Sequence, residues 1–224
     1  MCIRLLKSEC PIQTKDQCAE CLCTVLGYYK KNGLEISKDL INCVEEISLN
    51  NTPNIFDTFR TSESLLCRLI TLKIIVGVLD KSVLIQWCIT YAKKEPSERY
   101  ALVQCLRSFL QYSVDLNGDV DAIIVSIILQ CCDDQEVYIR TVACECLWFI
   151  LDSQYKKQAE DMLYEMTIDP SPQVKNKLLN ICKSKPNHIK LIKKIVYTLI
   201  DDANYIINTK ARKLLKNNLE VTTE

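Results

Sequence analysis

Four cysteines near the amino terminus have the residue type and the close spacing that a metal site would need. Cys10, Cys18, Cys21 and Cys23 could supply the four thiolates of a structural zinc site. If Cys18 and Cys21 share a predicted helix, however, Cys23 points to a different face of that helix. Most of the other cysteines lie in apolar helical patterns, where a free cysteine behaves as a small hydrophobic residue. We therefore predict no metal ligands, and a metal or redox role for the N-terminal cysteines stays the alternative.

The sequence contains few residues that could support catalysis. His188 is the single histidine, so a catalytic triad or a Cys–His dyad would have to use it. Its position at the start of a predicted helix favours a surface or capping role instead. The paired acids Asp133/Asp134 and Asp201/Asp202 stand at predicted turns before helices, where capping explains them. With 4 glycines there is no glycine-rich phosphate loop. We expect no catalytic residues and no cofactor, and we favour a protein that is not an enzyme.

The elements that would position a site are predicted to be helices. Apolar residues recur three and four positions apart over 123–131, 142–150 and 191–200, which is the period of an α-helix. No segment alternates apolar and polar residues long enough to predict a strand, and 4 glycines with 6 prolines leave little room for hairpins. We predict an all-α protein with short turns. The turns are expected at 32–33, 50–53, 95–96, 117–118, 169–172 and 186–187.

Composition is that of a folded chain, with 48% apolar and 25% charged residues among 224. No long polar linker divides the sequence, so we predict a single domain over 1–224. No apolar run approaches the roughly 18 uncharged residues that a membrane helix needs. The apolar N-terminal run is short and is interrupted by Arg4 and Lys7, unlike a signal peptide. We expect a cytoplasmic protein that does not bind membranes.

An internal repeat runs through the C-terminal part of the chain. When Asp134, Asp169 and Asp202 are set in register, the offsets between copies are 35 and 33 residues. Apolar residues then recur five, nine and twelve positions after each aspartate. The residues six positions after it are Arg140, Lys175 and Asn208. A weaker pattern recurs further upstream, at 20–22, 63–65, 104–106 and 145–147. It consists of an acidic or amide residue, then a small residue, then Leu.

The segment from Asp169 to Ser184 resembles the second helix of a HEAT repeat, with Asp-Pro at the turn and a basic residue after an apolar one. The segment from Asp134 to Leu147 is similar and has Arg140 at the basic position of the family, whereas Asn208 departs from it. Tandem helix pairs cannot bury their apolar faces alone and must stack. We therefore predict a right-handed α-solenoid of about five or six stacked helix pairs. Its concave surface would be lined by helices over 136–152, 171–184 and 204–218.

Charge is distributed unevenly although 28 basic and 28 acidic residues balance overall. Residues 171–224 hold 11 Lys and Arg against 4 Asp and Glu, and the remainder holds 17 against 24. The basic end is either a solvated helix face or a patch for an acidic protein surface or for phosphates. Only Tyr197 and Tyr205 accompany these lysines, so base stacking is not indicated.

The HEAT resemblance implies a non-catalytic scaffold that holds a protein or peptide partner, here an acidic one, in a concave groove. Trp148 is interpreted as either a core residue or an anchor for that partner. The alternative is a nucleic-acid-acting protein of the HEAT-like alkylpurine DNA glycosylase type, which would use the basic C-terminal end. A lyase or a chaperone for a cofactor-bearing protein is a third hypothesis. The residues expected to contact a partner are Tyr138, Arg140, Trp148, Lys175, Lys177, Lys210 and Lys213.

Overall fold

A computed structural model describes residues 1–9, 11–47, 59–80, 82–113, 120–184 and 187–218. Every regular element within these residues is a helix, which confirms the predicted all-α class. Cys10 and the turns predicted at 50–53 and 117–118 lie outside the described residues, as do the side chains of 63–65.

The first half of the chain contains seven described helices. They are α1 (Cys2–Lys7), α2 (Ile12–Lys31), α3 (Lys38–Glu45), α4 (Phe59–Ile75), α5 (Ser82–Tyr91), α6 (Pro96–Ser113) and α7 (Ala122–Cys132).

The helices of the second half include the three that were predicted to line a surface. They are α8 (Val137–Phe149), α9 (Lys156–Glu165), a short 3₁₀ helix (Met166–Ile168), α10 (Pro172–Ser184), α11 (Ile189–Leu199) and α12 (Tyr205–Asn218). The predicted ranges 136–152, 171–184 and 204–218 therefore correspond to α8, α10 and α12.

The chain divides into two compact units, Met1–Ile127 and Ile128–Glu224, and the boundary falls within α7. We refer to them as unit 1 and unit 2. The single domain over 1–224 stays a prediction.

Unit 1 is built around the long helix α2, which packs against α1, α4 and α6. Its buried positions, among them Ala19, Cys23 and Leu26, follow the three- and four-residue spacing of one helix face. Gly27 lies where α2 meets α6 most closely, because a Cβ added there would lie 2.3 Å from the carbonyl oxygen of Tyr112. A larger residue at position 27 would therefore force the two helices apart.

Unit 2 contains two rows of contacting helices. In one row α10 packs against both α8 and α12, and in the other α9 packs against α11. The 3₁₀ helix contacts α9, α10 and α11 and so joins the rows. The predicted stripe of α11 is buried as expected. Because α8, α10 and α12 are neighbours, their outward side chains share one surface.

Candidate functional site

Three aspartates form the same turn in front of α8, α10 and α12. In each turn one carboxylate oxygen accepts a hydrogen bond from the backbone N–H two residues further on, which satisfies a donor that the helix leaves unpaired. Asp134 and Asp202 therefore stabilise the turns in front of α8 and α12 rather than cap the helices as predicted, because the N-cap residue of α8 is Glu136 and the Asn204 side chain caps α12. The aspartates and their donors are Asp134 with Glu136 at 2.9 Å, Asp169 with Ser171 at 2.7 Å, and Asp202 with Asn204 at 2.8 Å.

Arg140 joins one of these turns to the next. Its Nε donates to Asp169 Oδ2 at 2.7 Å and its Nη2 to Asp169 Oδ1 at 3.1 Å, so the pair is bidentate. Its Nη1 donates to the backbone carbonyls of Asp134, at 2.7 Å, and Gln135, at 3.1 Å. Both charged side chains are buried. The Arg140 side chain is thus committed to contacts inside unit 2, and its role in binding a partner stays a prediction.

Lys175 makes the equivalent contact one repeat later. Its Nζ lies 2.7 Å from Asp202 Oδ2, and both side chains are largely buried. Burial by itself raises the pKa of Asp202, but hydrogen bonds from Lys175 and from the Asn204 N–H outweigh it, and the pKa lies below its ordinary value. The series ends at Asn208, which carries no charge and whose Oδ1 accepts a bond from Arg212 Nε at 2.8 Å. Partner binding by Lys175 stays a prediction.

Further hydrogen bonds join the outward side chains of α8, α10 and α12. Lys177 Nζ donates to Glu145 Oε1 on α8 at 2.8 Å. Lys210 Nζ on α12 donates to Asn176 Oδ1 on α10 at 2.5 Å and also to Asn180 Oδ1. We call this surface the lysine face. It consists of Tyr138, Glu145, Asn176, Lys177, Asn180, Lys183, Lys210 and Lys213.

The lysines of this face differ in whether a carboxylate neutralises them. Lys177 is paired with Glu145. For Lys183, Lys210 and Lys213 no carboxylate of the described residues lies within ion-pair distance. Burial lowers the pKa of Lys210, and the neighbouring charge of Lys183 lowers it further. The face therefore carries uncompensated positive charge at its α10–α12 side.

The two predicted aromatic contacts are placed differently. Tyr138 lies on the outer surface of α8 and is 42% exposed. Trp148 is 4% exposed, which decides between its two interpretations in favour of the core. The ring of His188 meets Trp148 edge-on at a centroid distance of 5.6 Å. His188 is the N-cap residue of α11, but its side chain makes no capping hydrogen bond and is 12% exposed. The imidazole therefore packs against the indole instead of serving the predicted surface or capping role.

A cavity of about 540 Å³ lies beside the Arg140–Asp169 pair. Met162, Met166 and Glu165 contribute to its walls. Each of the three guanidinium nitrogens of Arg140 already donates a hydrogen bond within the unit. The cavity presents carboxylates, methionine side chains and Cys132. The Cys132 thiol donates to the carbonyl of Ile128 at 3.3 Å, and burial raises its pKa well above the ordinary value.

Of the four N-terminal cysteines, Cys10 lies outside the described residues, and Cys18, Cys21 and Cys23 lie on α2 without converging. Cys18 and Cys23 are buried, while Cys21 is exposed. The Cys23 thiol donates to the carbonyl of Arg68 at 3.2 Å, and burial raises its pKa to about 12. Over the part of the chain that the structure describes, no group of three or more His, Cys, Asp and Glu side chains could hold a metal ion.

Unit 1 contains a charged cluster that was not predicted from the sequence. Arg68 on α4 lies 2.6 Å from Asp16 Oδ2 and 3.1 Å from Glu20 Oε2, both on α2. The Tyr112 hydroxyl on α6 donates to Glu20 at 3.4 Å. The four-residue spacing of the two acids, which places them on one helix face, was the available signal. The cluster ties α2, α4 and α6 together.

Among the described helices, none has both the length and the apolar character that crossing a bilayer requires. Comparison with known proteins found no match for this chain among protein-family models, curated proteins or solved structures.

Proposed function

We propose that the chain is a HEAT-like α-solenoid of about five or six helix pairs, and that it binds an acidic protein or peptide partner without catalysis. The inner helices include α8, α10 and α12. The recurring turn supports this proposal, because the basic residue of one repeat bonds to the aspartate of the next in two successive cases, Arg140–Asp169 and Lys175–Asp202. The bonds follow the 35- and 33-residue offsets of the sequence repeat.

A related arginine contact in unit 1 supports extending the repeat upstream. Arg99 precedes Cys105 by six residues, as Arg140 precedes Cys146. Arg99 Nη1 donates to the carbonyl five residues earlier, that of Lys94, at 2.6 Å. Arg140 Nη1 likewise donates to the carbonyl five residues earlier, at 3.1 Å. An arginine at the equivalent position thus makes the same local side-chain to backbone hydrogen bond at the start of α6 and of α8.

The observation that carries the binding proposal is the uncompensated charge of the lysine face. Lys183, Lys210 and Lys213 have no carboxylate partner among the described residues, although Lys175 and Lys177 have one each. Exposed Tyr138 adds an aromatic contact of the kind that is enriched in protein interfaces. An acidic polypeptide segment complements both features, since its carboxylates would pair with the lysines.

Capture from cell extract with matched charge variants tests the proposal. The face variant carries Glu at 183, 210 and 213. The control variant carries Glu at 157, 190 and 193, so the two variants have equal net charge. We expect the wild type and the control variant to retain a protein that the face variant does not retain. Circular dichroism should show that all three chains are equally helical. Equal retention by the two variants would refute the assignment of the face.

The nucleic-acid hypothesis predicts a different result. Lys175 and Lys177 are already neutralised by acids of the chain, which leaves fewer lysines for a phosphate track. A gel shift with duplex DNA at low salt separates the hypotheses. Retardation that is lost in the face variant and kept in the control would favour a nucleic-acid-acting protein over a protein-binding one.

A further inference from the structure

Lys210 lies at the centre of an unusual group of hydrogen-bond donors. A lysine ammonium has three N–H donors and no acceptor. Two of the Lys210 donors are used by the amide oxygens of Asn176 and Asn180. One N–H donor of a half-buried ammonium therefore remains for a ligand.

The ammonium also fixes the orientation of the two amides. Because Lys210 can only donate, each asparagine must turn its Oδ1 toward it and its Nδ2 group away. Each Nδ2 group brings two more donors, and no acceptor for them occurs among the described residues. Asn176 and Asn180 are four residues apart on α10, and Lys183 follows three residues later on the same face. The group therefore presents donors and positive charge in one place.

No carboxylate of the described residues compensates the charge of this group. The nearby lysines Lys175 and Lys177 each have a carboxylate partner, at 2.7 and 2.8 Å. Lys210 instead has two neutral amides and a second cation, Lys183, whose proximity disfavours its charged form. An anion bound between the two ammonium groups would remove this repulsion and accept the unused hydrogen bonds.

We propose that Lys210, Asn176, Asn180 and Lys183 form a subsite for one oxyanion, a carboxylate or a phosphoryl group, presented by a partner polypeptide. The inference rests on the proposed function and specifies its contact. A polypeptide is favoured over nucleic acid because the subsite accommodates a single anion, whereas the next lysines along α10 are neutralised and offer no continuing track.

Two variants distinguish binding by this specific group of hydrogen-bond donors from binding by positive charge alone. Lys210→Met removes the central ammonium and keeps an unbranched side chain. The double change Asn176→Ala and Asn180→Ala removes the amide donors and leaves every charge in place. Lys190→Met on α11 is the matched control, since Lys190 is an exposed lysine of the same unit. Thermal unfolding of each variant establishes that it is folded at the temperature of the assay.

Fluorescence anisotropy with the full chain is the assay. The probes are labelled hexaglutamate, a doubly phosphorylated serine hexapeptide, a hexaglutamine control and a single-stranded dodecanucleotide. We expect Lys210→Met to weaken the preferred acidic peptide about tenfold, the loss of a charge-assisted hydrogen bond. The asparagine double change should weaken it severalfold, and Lys190→Met should leave it unchanged. The ratio of hexaglutamate to phosphopeptide affinity identifies which oxyanion the subsite prefers.

The outcomes distinguish this subsite from the proposed function. If extract capture fails but Lys210→Met and the asparagine changes both weaken peptide binding, the subsite stands and the wider proposal fails. If capture depends on the face but neither change affects peptide affinity, the subsite is refuted and the wider proposal stands. A probe that binds equally to wild type, Lys210→Met and Lys190→Met, or a preference for the oligonucleotide, also overturns the subsite.

Discussion

Two arginines, one in each unit, are held by carboxylates in different ways. Arg68 in unit 1 bonds to Asp16 and Glu20, which lie four residues apart on a single helix. Arg140 in unit 2 bonds to Asp169, which stands at a turn 29 residues further along the chain. The carboxylate of Asp169 is 6% exposed, whereas that of Glu20 is 46% exposed. The first arrangement fastens neighbouring helices, and the second fastens one turn to the next.

The difference determines which arrangement can recur along a chain. An acid that accepts a backbone N–H in the turn before one helix, and also accepts a hydrogen bond from a cation of the preceding repeat, serves two purposes with one side chain. Asp169 and Asp202 both do so, and the cation is Arg in one case and Lys in the other. The Arg68 cluster depends on two acids of α2 and on Tyr112, and it has no second copy among the contacts described for unit 2.

The largest effect is expected where the arginine is most buried. Arg140→Met would leave the Asp169 carboxylate buried without its cation, and we expect a loss of about 3–5 kcal/mol in the free energy of unfolding. Urea unfolding, monitored by Trp148 fluorescence in a Trp87→Phe background, measures this loss of stability in unit 2. Trp148 is a suitable reporter because it is buried there.

Arg68→Met is the comparison variant for this prediction. The Glu20 side chain is 46% exposed and regains water when the cation is lost, whereas Asp16 is 23% exposed and its Oδ1 is buried without a hydrogen-bond partner. We therefore expect a smaller cost than for Arg140→Met, about 1–2 kcal/mol. Trp87, on α5, reports unfolding of unit 1 when its fluorescence is followed in a Trp148→Phe background. If Arg68→Met lowers the free energy of unfolding as much as Arg140→Met, or more, the two arrangements do not differ in strength as described.

An intermediate effect, with a defined pH dependence, is expected for Asp202. Its pKa is lowered in the folded protein, so its stabilising contribution is present above the unfolded value of about 4 and is lost as the pH falls through the folded value. Asp202→Asn should cost about 1–3 kcal/mol at pH 7. The difference from wild type should shrink below pH 4.

Unfolding by urea at a series of pH values between 3 and 7 measures that difference. Asp161→Asn is the control, because Asp161 is exposed on α9. A difference between wild type and Asp202→Asn that stays constant down to pH 3 would contradict the account of the Lys175–Asp202 pair.

The smallest effect is expected for Glu20→Gln. The side chain is 46% exposed and Asp16 still holds Arg68, so we expect a loss of about 0.5 kcal/mol. High salt should reduce this loss further, since exposed charges are screened. A loss above about 2 kcal/mol would mean that the two units hold their arginines with similar strength.

The helices of unit 2 could be predicted from the sequence because their apolar spacing agrees with the aspartates that precede them. Those aspartates also marked the turns at which Arg140 and Lys175 are held, although a partner-binding role was predicted for both residues. Net charge cannot show that a basic residue is already neutralised by an acid 29 or 27 residues away. Such pairing depends on which helices are neighbours.

The centre of the proposed subsite could not be predicted for another reason. Asn176 and Asn180 carry no charge, so neither charge counting nor apolar periodicity selects them. Lys210 was selected with the other lysines, and only its contacts with the two amides distinguish it from them. Trp148 could not be assigned from the sequence either, because a ring that it packs against, that of His188, lies 40 residues away along the chain.

Site-specific photo-crosslinking tests the central claim, that the lysine face binds a partner polypeptide, most directly. A benzophenone amino acid is placed at position 213, on the face, or at position 190, on α11. After irradiation in cell extract, we predict that position 213 crosslinks to a protein, that position 190 does not, and that excess hexaglutamate suppresses the crosslink. Equal crosslinking from the two positions, or crosslinking from position 190 alone, would contradict the account.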